Sequence, residues 1–525
     1  MSRLRSNKID KIIRAISTFS IALVFNVLAA TQASTLLAGP HEITNWANNK
    51  AGAVSVTFDD NVISQYTLAV PALNARGFKG TFNVITSLTD TIYDCCVTLD
   101  EWKNVANQGH EIGSHTKTHP HLPQLTFTQM QDEIGGSQAE IDAQITMQKC
   151  VTFAYPFGDL NVTAELIAQD YYIAARGVTC ELNTTPYDFY DMKACEDKLS
   201  VAQMKAKADE AEQEAKWLIS YYHSLDGTGY GFWTIDMLTE YLDYLMTKNL
   251  WVDTFGSVTK YIKERASADL SLVSSSDVQI VLNLTDTLDD AIHDESLTIR
   301  SEVPSSWASV NVQQGSGVVT VTSVVEGTTR VIYYNVIPDR GFITLTKVMA
   351  PQTFEAKYSM EVKNDGTKYY HDGSDWVGRG NTGVLRTATL WDISSIDPAW
   401  DVVTVEVRFF SESKTGSSGE ITVGRYGSSH GEDDPRSDSG ALVYSKSAGS
   451  GYASFSEPSS GSWTGWVSLG DTAASDLAWC RDNGKSIWSV GLKASAAVEA
   501  GTTPNHVDLS EDNEVTNAEI RITYR

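Results

Sequence analysis

The sequence predicts an α/β domain followed by two all-β domains. Short apolar runs alternate with helical segments between residues 51 and 265, and the content of Ser, Thr, Gly and Val rises after Arg265. From there to the end of the chain, short strand-like runs follow one another with polar turns. A chain of 525 residues is also too long for a single hydrophobic core.

The first region has the pattern of a parallel sheet with helical crossovers. The predicted strands are 54–58, 80–85, 111–115, 151–155, 172–176 and 217–223, with residues 250–252 extended. The predicted helices are 66–76, 99–108, 127–147, 163–169, 201–214, 234–248 and 258–265. Because ligands bind at the carboxyl ends of such strands, polar residues there are the first candidates for a site.

The second region predicts two β-sandwiches. Strand-like runs at 278–282, 297–299, 318–322 and 330–334 predict a β-sandwich over residues 267–348, which resembles the immunoglobulin-like spacers of secreted glycan enzymes. Residues 349–525 predict a further β-sandwich. Its Trp463 and Trp466 lie in a Ser/Gly-rich segment, so they indicate either a carbohydrate-binding surface or core positions.

Residues 1–33 have the pattern of a secretory signal peptide. Five basic residues precede a mostly apolar run from Ile16 to Ala30, and small residues follow at 31–33. A membrane anchor is the alternative, but the run is short for a span. We therefore expect a secreted protein, extracellular or periplasmic, with its first folded domain over residues 40–266 and no membrane span after signal removal.

The charge and the cysteines exclude several classes of partner and site. The formal net charge is −26, and it would be near −30 without residues 1–33, which carry five basic residues and one acidic residue. Such a surface repels nucleic acid and anionic lipid. None of the six cysteines has CxxC spacing, so a structural cysteine–zinc site is not expected. In an oxidising compartment, Cys180 and Cys195 close a plausible short loop.

Two motifs carry the chemistry. His115 and His119 lie four positions apart, so both rings can face one point, and Asp59 and Asp60 follow a predicted strand. Two imidazoles, one carboxylate and an open position are the layout of a catalytic metal centre. A histidine pair on the surface or in the core, and an aspartate that caps a helix, are the structural alternatives.

These motifs carry a resemblance to a known family. Residues 57–60, 114–119, 153–158 and 222–223 resemble, in this order, the motifs of the polysaccharide deacetylases, the NodB-homology enzymes of carbohydrate esterase family 4. The resemblance covers about residues 45–265. It implies a distorted (β/α)7-type barrel, a divalent metal that is commonly zinc, and removal of acetyl groups from chitin, peptidoglycan or xylan.

The resemblance also implies a role for each matching residue. Asp59 would be the general base, and His223 the general acid, although a satisfied core histidine is the alternative for His223. The expected metal ligands are Asp60, His115 and His119. The backbone N–H of Phe157 would stabilise the oxyanion. We also expect Phe157, Tyr155, Tyr222 and Trp233 to line the sugar groove.

The chain departs from the family pattern at two points. The family often has an arginine at the position of Ala154, where it holds the base. We hypothesise that Arg176, which ends the next predicted strand, reaches Asp59 instead. The acid that tunes the catalytic histidine is not evident, and Asp188 and Asp191 are weak candidates.

The predicted function is that of a secreted, metal-dependent polysaccharide deacetylase that acts on an acetylated polysaccharide or oligosaccharide. A small-molecule amide hydrolase on the same barrel and a non-catalytic glycan-binding surface protein are the alternatives.

Overall fold

The computed structural model describes residues 40–89, 96–227, 231–349 and, with gaps, 351–524. The gaps are 370–375, 381–382, 398–400, 412, 416–419, 428–429, 432, 440–445, 448–450, 457–458, 460–461, 501–504 and 509–517. The chain forms two compact units, Met1–Thr346 and Lys347–Arg525. The predicted signal peptide lies outside the described residues.

A parallel sheet forms the centre of the first unit. In spatial order its strands are Ala174–Arg176, Thr152–Ala154, Glu111–Ser114, Thr81–Val84, Gly52–Asp59, Trp217–Tyr222 and Cys195–Glu196, and Leu250–Val252 pairs with Gly52–Asp59. The central strands are buried along their whole length, as in a sheet that is covered on both faces. The curved sheet is that of a distorted β/α barrel, which confirms the predicted fold class.

Helices connect these strands. They are Val70–Asn74, Leu99–Asn107, Phe127–Gln144, Val162–Tyr171, Val201–Gln213, Ile235–Met246 and Phe255–Ser267. Thr98, Thr126 and Ser200 each begin a helix with a reciprocal capping bond to the Glu or Gln three residues later. The predicted helix 66–76 is divided, because residues Gln65–Ala69 form a π-helical turn before Val70–Asn74.

Short elements complete the barrel. Single turns of 3₁₀ helix lie at Ala47–Asn49, Thr86–Leu88, Leu122–Gln124 and Pro156–Gly158. The expected Cys180–Cys195 disulfide is present and joins the segment after Arg176 to the short strand Cys195–Glu196. That strand was not predicted, because two residues are too few to give a pattern.

The rest of the first unit is an antiparallel sandwich. One sheet contains His41–Ile43, Leu297–Val303, Thr329–Val336 and Val324–Glu326. The other contains Asp269–Ser275, Gln279–Thr285, Ile343–Lys347, Ser309–Gln314 and Gly317–Thr322. Its core is continuous with the outer layer of the barrel, since Trp217 and Tyr261 belong to the same buried cluster as Leu282 and Leu297.

The second unit consists of two antiparallel sheets and a helix around one core. The first sheet contains Gln352–Glu355, Ala518–Tyr524, Val402–Ser411, Ser462–Trp463 and Val467–Ser468. The second contains Ser413–Thr415, Asn505–Asp508, Trp376–Gly380, Gly383–Asp392, Ile487–Ala494, Glu420–Arg425, Gly451–Ser456, Tyr358–Lys363 and Lys368–Tyr369. The helices are Gly470–Asp482 and Ala496–Ala500. The helix Gly470–Asp482 was not predicted, and it buries Ala473, Leu477 and Cys480 in this core.

Trp463 and Trp466 are half-buried, and arginines cover them. The Arg408 guanidinium lies 4.7 Å from the centroid of the Trp463 ring and 4.6 Å from that of Trp466, and the Arg521 guanidinium lies 4.4 Å from that of Trp466. Both indole rings therefore make cation–π contacts, and the choice between a carbohydrate-binding surface and core positions stays a prediction. Separately, none of the helices in the described part of the chain is both long and apolar enough to cross a membrane.

Candidate active site

The predicted site residues meet at one edge of the parallel sheet. Each lies at the carboxyl end of a strand or directly after it: Asp59, Asp60, His115, Arg176 and His223. Because the strands are parallel, these ends share one edge, and residues far apart in sequence become neighbours there.

The potential metal-binding atoms of three side chains, Asp60, His115 and His119, lie close together. Oδ1 of Asp60 lies 3.5 Å from Nε2 of His115 and 3.4 Å from Nε2 of His119, and the two Nε2 atoms are 3.2 Å apart. The ligand atoms of this trio all lie within 4.8 Å of one another. One cation can therefore contact all three.

The hydrogen bonds of the cluster fit a bound cation. Nδ1 of His115 lies 2.7 Å from the carbonyl of Ala154, which fixes the proton on Nδ1 of the neutral ring and leaves the lone pair of Nε2 directed at the cluster. Oδ1 of Asp60 is buried and has no hydrogen-bond partner among the described residues. A metal ion would satisfy these atoms together. Among the described residues, Glu196, Asp197 and His223 form a second group with similar spacing.

The backbone around the cluster is strained. Non-glycine residues with positive φ angles surround it: Asp60 at 74°, Asn61 at 57°, Thr116 at 69°, His119 at 61° and Phe157 at 60°. Such conformations cost free energy and persist only where the surrounding structure enforces them, often at functional sites. Here the carboxylate of Glu133 accepts the N–H groups of Lys117 and Thr118 at 2.9 Å each and thereby holds the histidine loop.

Asp59 is held as a carboxylate by partners other than the candidate metal ligands. Its Oδ1 accepts hydrogen bonds from Arg176 and, at 2.8 Å, from Asn83. The side chain is 3% exposed, and burial alone would raise its pKa. The Arg176 guanidinium and the nearby imidazoles outweigh burial, so the pKa of Asp59 lies well below its usual value. Arg176 thus lies where the sequence hypothesis put it.

The pKa values of Asp60 and His115 also reflect a balance between burial and neighbouring charges. Burial raises the pKa of Asp60, but the neighbouring His115 imidazole lowers it by more. Burial lowers the pKa of His115, yet the two aspartates raise it further. The aspartates and His115 therefore favour one another's charged forms, whereas burial and the charge of His115 lower the pKa of His119.

Gln65 is a site residue that the sequence did not reveal. It is fully buried in the π-helical turn, and its Nε2 donates to the backbone carbonyl of Asp59 and, at 3.2 Å, to that of His223. One amide group therefore ties the two strand ends that carry the predicted base and acid. π-Helical turns are frequent at functional sites.

Asp197 is a second residue that was missed. It is buried beside His223, and its Oδ2 accepts the Phe232 N–H at 3.0 Å. Its Oδ1 and Nδ1 of His223 are both buried, and neither has a hydrogen-bond partner in the part of the chain that the structure describes. Burial raises the pKa of Asp197, against the opposing effects of Phe232 and His223. Asp197 and Glu196 each place a carboxylate oxygen within 4.8 Å of a ring nitrogen of His223, so Asp197 is a better candidate than Asp188 or Asp191 for the acid beside this histidine.

The two weaker candidates have other partners. Asp191 pairs with Lys193, and Oδ1 of Asp188 accepts the Tyr190 N–H at 3.3 Å. His223 contacts the other carboxylate oxygen of Asp60. Its Nε2 lies 3.8 Å from Oδ2, whereas the imidazoles of His115 and His119 lie near Oδ1.

Phe157 lies in the loop after strand Thr152–Ala154, beside the metal ligands. Its φ of 60° belongs to the left-handed region, within the short turn Pro156–Gly158. Its ring centroid is 4.5 Å from that of His119 and 4.1 Å from that of His121. The Phe157 ring is thus next to the predicted metal ligand His119, and the role of the Phe157 backbone N–H stays a prediction.

The prediction of the sugar groove was wrong for three aromatic residues. Tyr155, Tyr222 and Trp233 are all at most 1% exposed, so they cannot contact a bound glycan. Tyr222 packs against Phe58 and Trp233 because successive side chains of a strand point to opposite faces, and its neighbour His223 takes the open side. The Trp233 indole N–H donates to the carbonyl of Leu199 at 2.8 Å.

Comparison with known proteins agrees with this geometry. Residues 47–175 match the family model described as polysaccharide deacetylase. This part of the chain is a polysaccharide deacetylase domain. The domain therefore belongs to a family of hydrolases that act on carbohydrates.

The chain has relatives of several kinds. The chain is 30% identical over 337 residues to gellan lyase from Bacillus sp, covering 58% of this chain and 13% of that protein. It is 27% identical over 150 residues to the bifunctional xylanase/xylan deacetylase of Cellvibrio japonicus, covering 27% of this chain and 20% of that protein.

A solved structure, the Streptococcus pyogenes deacetylase PplD in complex with acetate, is 29% identical with a TM-score of 0.26, covering 27% of this chain and 62% of that one. The chain spans between 13% and 38% of the lengths of the curated relatives it matches.

Proposed function

We propose that the protein is a secreted, metal-dependent deacetylase that hydrolyses acetyl groups from a glycan. The bond would be the N-acetyl amide of a chitin- or peptidoglycan-type chain or the O-acetyl ester of xylan. One observation carries the proposal: Asp60 faces His115 and His119, whereas the adjacent Asp59 faces Arg176 and Asn83. Two neighbouring carboxylates are thus assigned to two different tasks.

Zn²⁺ is the metal that we propose for Asp60, His115 and His119. Two imidazoles and one carboxylate form a common ligand set for catalytic zinc, with a further position left open. When bound, the ion would polarise the acetyl carbonyl and lower the pKa of a water molecule.

Asp59 would accept the proton of the attacking water. Its low pKa keeps it ionised at neutral pH, and its hydrogen bonds with Arg176 and Asn83 fix its orientation. The N–H of Phe157 would donate a hydrogen bond to the developing oxyanion. His223, oriented by Asp197, would give a proton to the departing amine or alcohol.

Acetate release tests this proposal against the alternatives. Acetylxylan, chitin oligomers and peptidoglycan are each incubated with purified protein, with and without a chelator. We expect acetate from at least one glycan, loss of release with the chelator, and recovery when zinc is restored. Release of acetate only from small amides would favour the amide hydrolase, and no release from any substrate by metal-loaded protein would refute catalysis.

Secretion is a separate part of the proposal. It is supported by the signal-like pattern of residues 1–33 and by the disulfide Cys180–Cys195, which requires an oxidising compartment. Fractionation of the producing cells tests it. We expect the protein outside the cytoplasm, with its amino terminus after residue 33; full-length protein in the cytosol would contradict secretion.

A further inference from the structure

The loop of residues 115–119, which carries both candidate ligand histidines, has a strained backbone. It follows strand Glu111–Ser114, and two of its residues have left-handed conformations, Thr116 with a φ of 69° and His119 with a φ of 61°. Such conformations are unfavourable for residues other than glycine, most of all for a β-branched residue such as threonine. Contacts from outside the loop must therefore enforce them.

The two histidines depend on this loop to different degrees. His115 directly follows the strand, and its Nδ1 lies 2.7 Å from the carbonyl of Ala154, so a neighbouring strand fixes its ring. His119 lies at the far end of the loop, where its backbone N–H donates to Oγ1 of the buried Thr116 at 3.0 Å. The direction of the His119 ring therefore follows from the conformation of residues 116–119.

Glu133 binds this loop from the helix Phe127–Gln144. Its Oε2 accepts the backbone N–H groups of Lys117 and Thr118 at 2.9 Å each, and its Oε1 accepts the hydroxyl of Thr118 at 2.6 Å. One carboxylate thus satisfies three donors that lie between the two histidines. Hydrogen bonds to an ionised acceptor are stronger than those between neutral groups.

The helix that carries Glu133 is packed against the strand that leads into the loop. Oγ of Ser137, one turn after Glu133, lies 2.6 Å from Oγ of Ser114, the last residue of that strand. Ile134 and Ser137 are buried, and the capping bonds of Thr126 fix the start of the helix. The carboxylate of Glu133 therefore has a defined position relative to the loop.

A second segment holds other backbone groups of the loop. The N–H groups of Thr86 and Ser87 donate to the carbonyls of Thr116 and Lys117 at 3.2 and 3.0 Å. These bonds join backbone to backbone, so they remain possible when the side chain of Glu133 is changed. A substitution of Glu133 therefore releases the N–H groups of the loop without removing its other support.

Neighbouring acids on the same helix contact the loop in another way. The Lys117 ammonium lies 3.2 Å from Asp132 and 3.3 Å from Glu140, and both carboxylates are exposed. Exposed ion pairs of this kind contribute little to stability. These acids carry the same charge as Glu133 but contact a side chain and not the strained backbone.

We propose that Glu133 is a positioning residue, which sets the affinity of the zinc site by holding His119 in its ligand position. This inference rests on the proposed function, in which Asp60, His115 and His119 bind zinc. A loop that is already held in its bound conformation adds no cost of ordering to metal binding, whereas a released loop must be ordered each time. Glu133 acts through the geometry of its contacts and not through its charge alone.

Two substitutions separate the length of this side chain from its charge. Glu133→Asp keeps the charge but shortens the side chain by one methylene group, so the carboxylate loses its contact with the loop. Glu133→Gln keeps the length and an oxygen that can accept both N–H groups, and its amide can donate to the Thr118 hydroxyl. Asp132→Asn is the matched control, because it removes an exposed charge at the adjacent position.

The zinc Kd of each protein is measured by competition with a chromophoric chelator, and the absorption spectrum of cobalt-loaded protein reports the ligand geometry. We expect Glu133→Asp to raise the zinc Kd by about tenfold to 100-fold and to alter the cobalt spectrum. Glu133→Gln and Asp132→Asn should stay close to the wild type in both measurements. Thermal unfolding of the zinc-free proteins shows whether each variant is folded.

Three results would overturn the positioning role. The first is a wild-type zinc Kd in Glu133→Asp, with or without a lower unfolding temperature, since a purely structural residue would behave in this way. The second is an equal loss of affinity in Glu133→Asp and Glu133→Gln, which would assign the effect to charge. The third is an equal loss in Glu133→Asp and Asp132→Asn, which would assign it to the surface of the helix.

Acetate release at saturating zinc keeps this inference separate from the proposed function. If the zinc Kd responds as expected but no glycan releases acetate, the role of Glu133 stands and the deacetylase function fails. If acetate is released and the zinc Kd does not respond, the deacetylase function stands and the role of Glu133 fails. A wild-type protein that binds no zinc would refute both.

Discussion

Arg176 and Asn83 donate to the same carboxylate oxygen of Asp59. The guanidinium also lies over the ring of Tyr221, 4.8 Å from its centroid, so it is held from two directions. Arg176 comes from a different strand than the family position at Ala154, yet both strands end at the same edge of the sheet.

Replacing Arg176 should therefore impair the base without removing the metal ligands. We expect Arg176→Lys to lower kcat by about 100-fold or more, because lysine keeps the charge but loses the planar donor geometry. Turnover and bound metal are measured together, with Arg76→Lys at the surface pair with Asp243 as the control. Full activity of Arg176→Lys would show that Asp59 does not depend on this contact.

Substitutions of the two adjacent aspartates should have different effects on metal content and turnover. Asp59→Asn should keep the metal and lose turnover, because an amide cannot accept the proton. Asp60→Ala should lose metal and turnover together, because it removes a ligand. Metal content by mass spectrometry and acetate release distinguish the two, and retained turnover in Asp59→Asn would remove this residue from the role of base.

Asp197 should act on catalysis through His223. We expect Asp197→Asn to lower kcat by at least about tenfold, with little change in KM, since the histidine loses its orienting charge but the sugar-binding surface remains. Leaving groups of different basicity provide the readout. The loss should be greatest for substrates whose leaving group most needs protonation, and an equal loss for all leaving groups would indicate a purely structural role.

A buried glutamate outside the site should make stability depend on pH. Glu264 is fully buried, Glu295, Asp286 and Asp294 lie nearby, and burial raises its pKa from 4.5 to about 8. The folded chain therefore keeps a proton that the unfolded chain releases above about pH 4.5, so stability falls as the pH rises towards about 8.

The matched variant is Glu264→Gln, which keeps the acceptor for the Glu295 N–H at 3.0 Å and removes the charge. We expect urea unfolding of the wild type to show lower stability at about pH 8.5 than at about pH 5, and a smaller difference in Glu264→Gln. The same pH difference in both proteins would contradict this account.

The local motifs of the site could be predicted because each is a short segment. Asp59, Asp60, His115 and His119 stand next to apolar runs that end at the same edge of a parallel sheet, so strand prediction alone brings them together. The position of Arg176 at this edge could be predicted by the same argument, since Arg176 ends a predicted strand. The sheet and both β-rich regions have the predicted character for similar reasons.

The rest depended on contacts that no local pattern records. Asp197 follows a strand of only two residues, and Gln65 acts through an amide that bridges two carbonyls from distant segments. Tyr155, Tyr222 and Trp233 were placed in the groove because aromatic residues are typical of glycan sites. Whether a ring near a strand end faces the core or the solvent depends on packing, and the rings of Phe157 and Phe232 are accessible.

The central claim is that Asp60, His115 and His119 bind one divalent cation. Anomalous diffraction at the zinc edge, from crystals of zinc-loaded protein, tests it most directly. The account predicts one strong peak about 2.0–2.3 Å from a carboxylate oxygen of Asp60 and from Nε2 of each histidine. A peak at Glu196, Asp197 and His223 instead, or no peak among the three predicted ligands, would contradict it.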